Sequence, residues 1–472
     1  MEKENENENE QIKALKEQLF YEAPNAGRAL DDAQLEAADA FCEGYKRFLD
    51  DAKTEREAVA ATVAMAEGAG FVPYEYGKTY KPGDKVYLNN RGKAVILAVF
   101  GVKSVAEGVK ISAAHIDSPR LDLKQNPMYE DHETAFFKTH YYGGIKKYQW
   151  PTIPLALHGV IVKRNGETVR VRVGEDDADP KFVITDLLPH LGREQSKRTL
   201  GEGVKAEELN VLIGSRPFRG DKTSESVKLN ILHLLFEKYG VTEHDFLSAE
   251  LEIVPAFKAC DIGFDRSLIG AYGHDDRVDA YPSVMASLAA EAPAYTTLTV
   301  LADKEEIGSE GNTGLASAFM EHFIDDLAAA QGVAPWNVLR KSECLSADVT
   351  AAFDPTFSDV MDARNCAYVN KGVAVMKYTG HGGKSGSSDA SAEYMGKIRA
   401  LFDGADVLWQ LGALGKVDAG GGGTVAKFVS KLNIDTVDIG VPVLSMHAPF
   451  EVVSKTDVYM TYLAIKAFFE QA

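Results

Sequence analysis

The sequence predicts an α/β protein interrupted by a β-rich insertion, and three observations carry that prediction. First, Tyr295-Thr-Thr-Leu-Thr-Val-Leu-Ala302 is a β-branched, apolar run that reads as a buried strand. It empties into a loop punctuated by Gly308, Gly311 and Gly314. Second, residues 11–69 show helical periodicity, with Ile12, Leu15, Leu19 and Phe20, then Phe41, Tyr45, Phe48 and Leu49, at three- and four-residue intervals. Third, residues 121–255 change character, with short β-like runs separated by turn signals such as Arg164-Asn-Gly166.

Taken in order, residues 1–10 alternate Glu and Asn with almost nothing apolar, so a disordered acidic tail is expected. After the helical region, Lys85-Val-Tyr-Leu88 suggests a short strand and Ala94–Phe100 a buried one. Val109–Ala114 is a further strand, ending in His115-Ile-Asp-Ser-Pro119. A His with an Asp two residues on, just past a strand, suits a metal ligand whose ring is oriented by an acidic neighbour; the plainer reading is a capped strand end. Within the insertion, Leu155–Val162 and Val169–Val173 read as strands, and residues 192–226 as a charged loop. Glu250–Pro255 begins the return to the main sheet.

Asp275 and Asp276 then open a helix over Val278–Ala290, a position the helix dipole favours for carboxylates. Glu305 and Glu306 stand where the 295–302 strand runs out, and in open α/β sheets ligands bind at that carboxyl-end crevice. Outside a helix, adjacent carboxylates diverge, so one can hold a metal while its neighbour handles a proton. A helix covers Leu315–Ala330, and Ser342–Ala347 is a strand ending in Asp348. Gly372–Tyr378 is a strand leading into Gly380-His-Gly-Gly-Lys-Ser-Gly386, which fails the phosphate-loop spacing because Tyr378 stands where its first glycine belongs. Residues 392–411 read as largely helical, Gly420–Gly423 as a turn, Gly440–Met446 as a strand ending in His447, and Asp457–Phe469 as a closing helix.

Composition narrows the class. With 472 residues the chain can bury more than one core. A formal net charge of −19 disfavours nucleic acid. No apolar run is long enough to span a bilayer, and no membrane partner is expected. Cys42, Cys260, Cys344 and Cys366 are scattered without a C-x-x-C pair, as in a reducing compartment, so a cytoplasmic enzyme is expected.

Collected, His115, Asp275, Glu306, Asp348 and His447 form a nitrogen and oxygen donor set suited to zinc, manganese or cobalt. Five donors exceed what one catalytic zinc with an open position takes, but they suit two divalent ions bridged by a carboxylate. Glu305 is then free to act as general base.

The stretches Ala114-His-Ile-Asp-Ser-Pro119, Tyr272-Gly-His-Asp-Asp-Arg277, Lys304-Glu-Glu-Ile-Gly308, Leu345-Ser-Ala-Asp348 and Ser445-Met-His447 resemble, in order, those of the metallo-aminopeptidase family containing aspartyl aminopeptidase and vacuolar aminopeptidase I. The resemblance implies a mixed-sheet catalytic domain with helices on both faces, in two pieces (11–120 and 256–472), around an inserted β-rich dimerisation domain (121–255). It implies that Asp275 bridges two metals, with His115 and Asp348 on one and Glu306 and His447 on the other. Glu305 would be the base, and Asp117 would orient His115. It implies peptide substrates with a free N-terminus and a homo-oligomer, a tetrahedral dodecamer, in which a histidine of the insertion reaches a neighbour's site. Leu188-Pro-His-Leu191 resembles that motif and makes His190 the candidate.

One departure bears on specificity. Val349-Thr-Ala-Ala-Phe-Asp-Pro355 lacks the histidine that aspartyl aminopeptidases carry there, which leans away from strict acidic specificity. Lys377 is a candidate for meeting an acidic substrate side chain. Two other readings are a dinuclear deacylase or carboxypeptidase and a non-catalytic self-assembling shell protein. The first needs a cationic pocket, and the second should show gaps in the ligand set.

Overall fold

A computed structural model describes residues 2–471. Its centre is a nine-stranded mixed sheet. Four neighbouring strands run parallel: Thr297–Ala302, Lys110–His115, Glu343–Ala347 and Asp435–Gly440. Antiparallel partners flank them, Ala94–Val99 on one side and Val373–Met376 on the other. Period-two alternation makes the sheet two-faced. Val95, Leu97 and Val99 enter one core with the helices Asp32–Asp51, Glu55–Gly68, His274–Ala289, Ala392–Gly404 and Lys455–Phe469. Ile96 and Ala98 enter the opposite core with Phe319–Ala330. Helices thus cover both faces, which explains why the central strands read as continuous apolar runs.

Local signals set the helix starts. Asp31 and Thr54 each form a reciprocal capping box, with Gln34 and Glu57 respectively. Residues 2–10, expected to be disordered, instead share the helix Glu2–Leu19. Glutamate is a good helix former, and this helix leaves Ile12, Leu15 and Leu19 exposed.

The insertion is a seven-stranded, wholly antiparallel sheet drawn from strands between Arg120 and Pro255, with its own core around Leu121, Phe137, Trp150 and Ile253. The stretch read as a charged loop holds 3-10 turns and the strand Asn210–Gly214. A helix, Ser226–Tyr239, follows it.

Two expected elements divide. Residues 392–411 form a helix only to Gly404, then the edge strand Trp409–Leu411. The run into His447 is two strands: Asp435–Gly440 in the main sheet, and Pro442–Leu444 in a five-stranded sheet with Glu451–Ser454. Proline has no N–H for a central ladder, and the change of sheet falls just before Pro442.

Candidate metal centre

The carboxyl ends of the parallel strands converge. Lys110–His115 ends on His115 itself; Thr297–Ala302 leads to Glu305 and Glu306; Glu343–Ala347 leads to Asp348. Asp435–Gly440 continues through Pro442–Leu444 to His447. Asp275 enters from the start of the helix His274–Ala289, whose first turn departs from helical geometry at Asp275 and Asp276.

Asp275 lies between the two histidines. Its Oδ1 is 3.1 Å from His115 Nε2 and its Oδ2 is 3.1 Å from His447 Nε2. On the first side, Asp348 Oδ1 is 3.9 Å from His115 Nε2; on the second, Glu306 Oε1 is 3.5 Å from His447 Nε2. Both rings are turned by their other nitrogen. His115 Nδ1 donates to the carbonyl of Asp117 at 3.0 Å, and His447 Nδ1 donates to the carbonyl of Gly144 at 2.9 Å. Each Nε2 lone pair is therefore aimed at the carboxylates.

The buried charge is one-sided. Burial pushes the carboxyls of Glu306 and Asp348 well above their ordinary values. Burial, reinforced by Asp275, lifts Glu451 to about 8. Glu305 rises to about 7 through burial, with Asp117 and Asp275 adding to the effect and the histidines opposing it. Burial alone would lower His447, but contact with Asp275 and the charge of Glu306 raise it to about 11. Glu306 Oε1 and Asp276 Oδ1 are buried without hydrogen-bond partners. Carboxylates gathered out of water call for cations. The donor atoms of His115, Asp275 and Glu306 lie within 4.8 Å of one another, as do those of His115, Asp276 and Asp348. Donors 3 to 4 Å apart are spaced as ligands of one ion would be, since each zinc–ligand bond is about 2 Å. The residues fit divalent metal.

A cavity of about 460 Å³ opens over this centre, with Glu305, Asp348 and His447 in its wall beside Val349, Met376 and Met446. Two residues nominated from the sequence lie elsewhere. Met376 ends the strand Val373–Met376 and lines the cavity, while Lys377, just past the strand, pairs with Asp389 at 2.6 Å and lines a separate groove beside Trp409. His190 is exposed in the turn Pro189–Leu191 and is absent from the wall of its own subunit's cavity.

Other residues carry weight that sequence reading missed. Tyr142, Gly143 and Gly144 bring the insertion to the site. The Tyr142 hydroxyl donates to Asp117 Oδ2 at 2.8 Å. A Cβ on Gly143 would lie 3.2 Å from Glu306 Oε2, and one on Gly144 would lie 3.2 Å from His447 Nδ1. The glycine pair between two β-like runs was the available signal. Lys427 lines the cavity, with its ammonium over the Phe428 ring at 5.4 Å from the centroid.

The sequence profile described as "Aminopeptidase I zinc metalloprotease (M18)" matches residues 48–469. The chain belongs to the M18 family. A relative from Clostridium acetobutylicum named "Probable M18 family aminopeptidase 1" is 49% identical over 458 residues, covering 95% of this chain and 98% of the relative. The crystal structure of the M18 aminopeptidase from Thermotoga maritima superposes with a TM-score of 0.92 at 42% identity, covering 96% of this chain and 100% of that one. The mApe1 dodecamer of S. cerevisiae shares the fold, with a TM-score of 0.73 at 19% identity over 93% of this chain and 97% of that one. As an M18 protein the chain is a metal-dependent aminopeptidase, and the deacylase, carboxypeptidase and shell-protein readings are not favoured. Among the described residues no helix is long and apolar enough to cross a membrane.

Proposed function

We propose that this M18 enzyme removes the N-terminal residue of peptides using two divalent ions per subunit, zinc by preference, with manganese or cobalt as substitutes. Asp275 would be shared by the pair, His115 and Asp348 would hold one ion, and Glu306 and His447 would hold the other. The observation that carries this reading is the two-sided contact of Asp275, 3.1 Å from each histidine. Bound there, the ions would supply Lewis acidity toward the peptide carbonyl and would make an attacking water more acidic.

The chain's own residues do the rest. Glu305, set near neutrality by its surroundings, takes the proton of the attacking water and returns it to the leaving amine. Asp117 keeps the His115 ring turned and grips the Glu305–Glu306 backbone. The free α-amine of the substrate lies against the buried carboxylates, which limits cleavage to unblocked N-termini. Val349, Met376, Leu414 and Met446 favour a neutral side chain in the cavity, in keeping with the histidine-free run after Asp348.

Assembly completes the site in this reading. Residues 121–255 serve as the dimer-forming insertion, and His190 reaches a neighbouring subunit's cavity within a homo-oligomer, a tetrahedral dodecamer. The helix Ser226–Tyr239 leaves Leu229, Leu234 and Phe236 about half exposed, apolar area that suits such a contact. Four free cysteines, three of them buried, suit the cytoplasm.

The test is a set of initial rates on free and N-acetylated aminoacyl-anilides, after chelation and again with zinc, manganese or cobalt restored. Metal-dependent cleavage confined to free amines is expected; cleavage of blocked substrates would contradict the reading. Metal titration to two equivalents per subunit tests the ion count.

A further inference from the structure

We propose that Glu451 is a positioning residue, clamping the backbones of Asp275 and His447 so that both present their side chains to one metal pair. Glu451 opens the strand Glu451–Ser454, which pairs with Leu268–Ala271 and places Glu451 opposite Ala271. That register sets it beneath two segments far apart in sequence. Its Oε2 accepts the backbone N–H of Asp275 at 3.1 Å, and its Oε1 accepts the backbone N–H of His447 at 2.7 Å. The residue is 1% exposed, so no solvent competes for either oxygen.

What Glu451 restrains is unusual backbone. His447 has φ of +65° and Ser445 of +59°, left-handed conformations that side chains other than glycine adopt at a cost and keep only when their surroundings over-determine them. The His447 N–H bond to Glu451 and the ring's Nδ1 bond to Gly144 fix this residue at two points. The same carboxylate fixes Asp275, so the spacing between bridge and histidine passes through one side chain. In its ionised form this carboxylate offers an acceptor to each N–H and no donor of its own. This role rests on the proposal that Asp275 and His447 are metal ligands.

Two variants separate acceptor chemistry from packing. Glu451→Gln keeps the volume but turns an NH2 toward one of the two N–H groups, leaving it buried and unpaired. Glu451→Asp keeps both acceptor oxygens and loses one methylene. Zinc-loaded full-length enzyme is challenged with excess chelator, the cobalt(II)-substituted forms are compared by visible absorption, and thermal midpoints are taken after chelation. The expected result is that Glu451→Gln loses zinc roughly 10- to 100-fold more readily than wild type. Its cobalt spectrum shifts, its metal-free midpoint stays within about 4 °C of wild type, and Glu451→Asp retains more zinc than Glu451→Gln. Unchanged zinc retention in Glu451→Gln, or better retention by Glu451→Gln than by Glu451→Asp, would overturn the positioning role. Failure of wild type itself to hold zinc or cobalt would overturn the ligand assignment and this role with it.

Discussion

Asp117 accepts the backbone N–H of Glu305 on Oδ1 at 3.1 Å, so the residue that turns the His115 ring also fixes the proposed base. Its Oδ2 takes the N–H of Glu306 at 3.2 Å and the hydroxyl of Tyr142 at 2.8 Å. Burial opposes its charge, but His115 and Tyr142 hold its carboxyl below the ordinary value. Asp117→Asn turns a donor toward at least one of these donors. Activity and zinc retention are both expected to fall, roughly 10- to 100-fold in metal affinity; rates and metal content measured together check this.

Among the described residues Glu305 pairs with neither His115 nor His447, whereas Glu306 Oε1 is 3.5 Å from His447 Nε2. Glu305→Gln should therefore keep wild-type metal content while turnover drops by roughly 10²- to 10⁴-fold, the contribution of a positioned base. Elemental analysis and single-turnover rates decide it. Most of the activity surviving with full metal content would assign the base elsewhere.

The strand ends were legible because the central strands are apolar on both faces and stop abruptly at ionisable residues: Ala114 to His115, Ala347 to Asp348, Ala302 to the Glu305–Glu306 pair. Lys377 lies at a separate groove because its strand stops one residue earlier, at Met376, and Met376 lines the cavity; the sequence run to Tyr378 does not show that stop. The helix Ser226–Tyr239 went unread because Leu229, Ile231, Leu232, Leu234, Leu235 and Phe236 make an almost unbroken apolar run without a sharp period. The role proposed for Glu451 runs through backbone N–H groups, one of them on Asp275 far away in the sequence, and such contacts leave no residue-type pattern to read.

His190 is exposed and outside its own cavity, so its proposed role requires a second subunit. His190→Ala and Glu305→Gln are each expected to be nearly inactive alone. Mixed oligomers, formed by co-expression, should regain activity. In them a subunit with intact Glu305 receives His190 from its neighbour. Mixed oligomers as silent as the parents would remove His190 from the mechanism.

His158 of the insertion bridges Glu57 and Glu175 at 2.9 Å each, and Lys53 reaches Glu175 at 3.0 Å, tying the insertion to the first helices. Burial opposes charge on His158, yet the two carboxylates raise it above 6.5; Glu175 falls to about 2, its burial outweighed by His158 and Lys53. The raised histidine stabilises below 6.5 and loses that contribution as pH climbs through its folded value. The depressed Glu175 stabilises above the ordinary glutamate range and loses its contribution as pH falls toward 2. Thermal midpoints should thus plateau in mildly acidic buffer and decline on both sides. His158→Gln is expected to flatten the alkaline decline, as read from midpoints across pH.

Lys427 is a cation in the wall of a cavity whose other charged residues are the carboxylates and histidine of the metal centre. Its ammonium lies over the Phe428 ring, 5.4 Å from the centroid, and forms no ion pair with a carboxylate among the described residues, so a substrate anion can meet it. With Val349, Met376, Leu414 and Met446 as the apolar part of the wall, the proposed preference is for neutral residues, and Lys427 is the group expected to let acidic N-terminal residues be tolerated. A hydrogen bond to a charged group contributes about 1.5 to 3 kcal/mol, so Lys427→Met should cut kcat/KM on aspartyl and glutamyl substrates by roughly tenfold or more. Leucyl and methionyl substrates should be nearly unaffected, because nothing in their side chains meets the ammonium. An equal loss on both classes would mean that Lys427 acts on the peptide backbone or on packing, and the ratio of the two kcat/KM values distinguishes these directly.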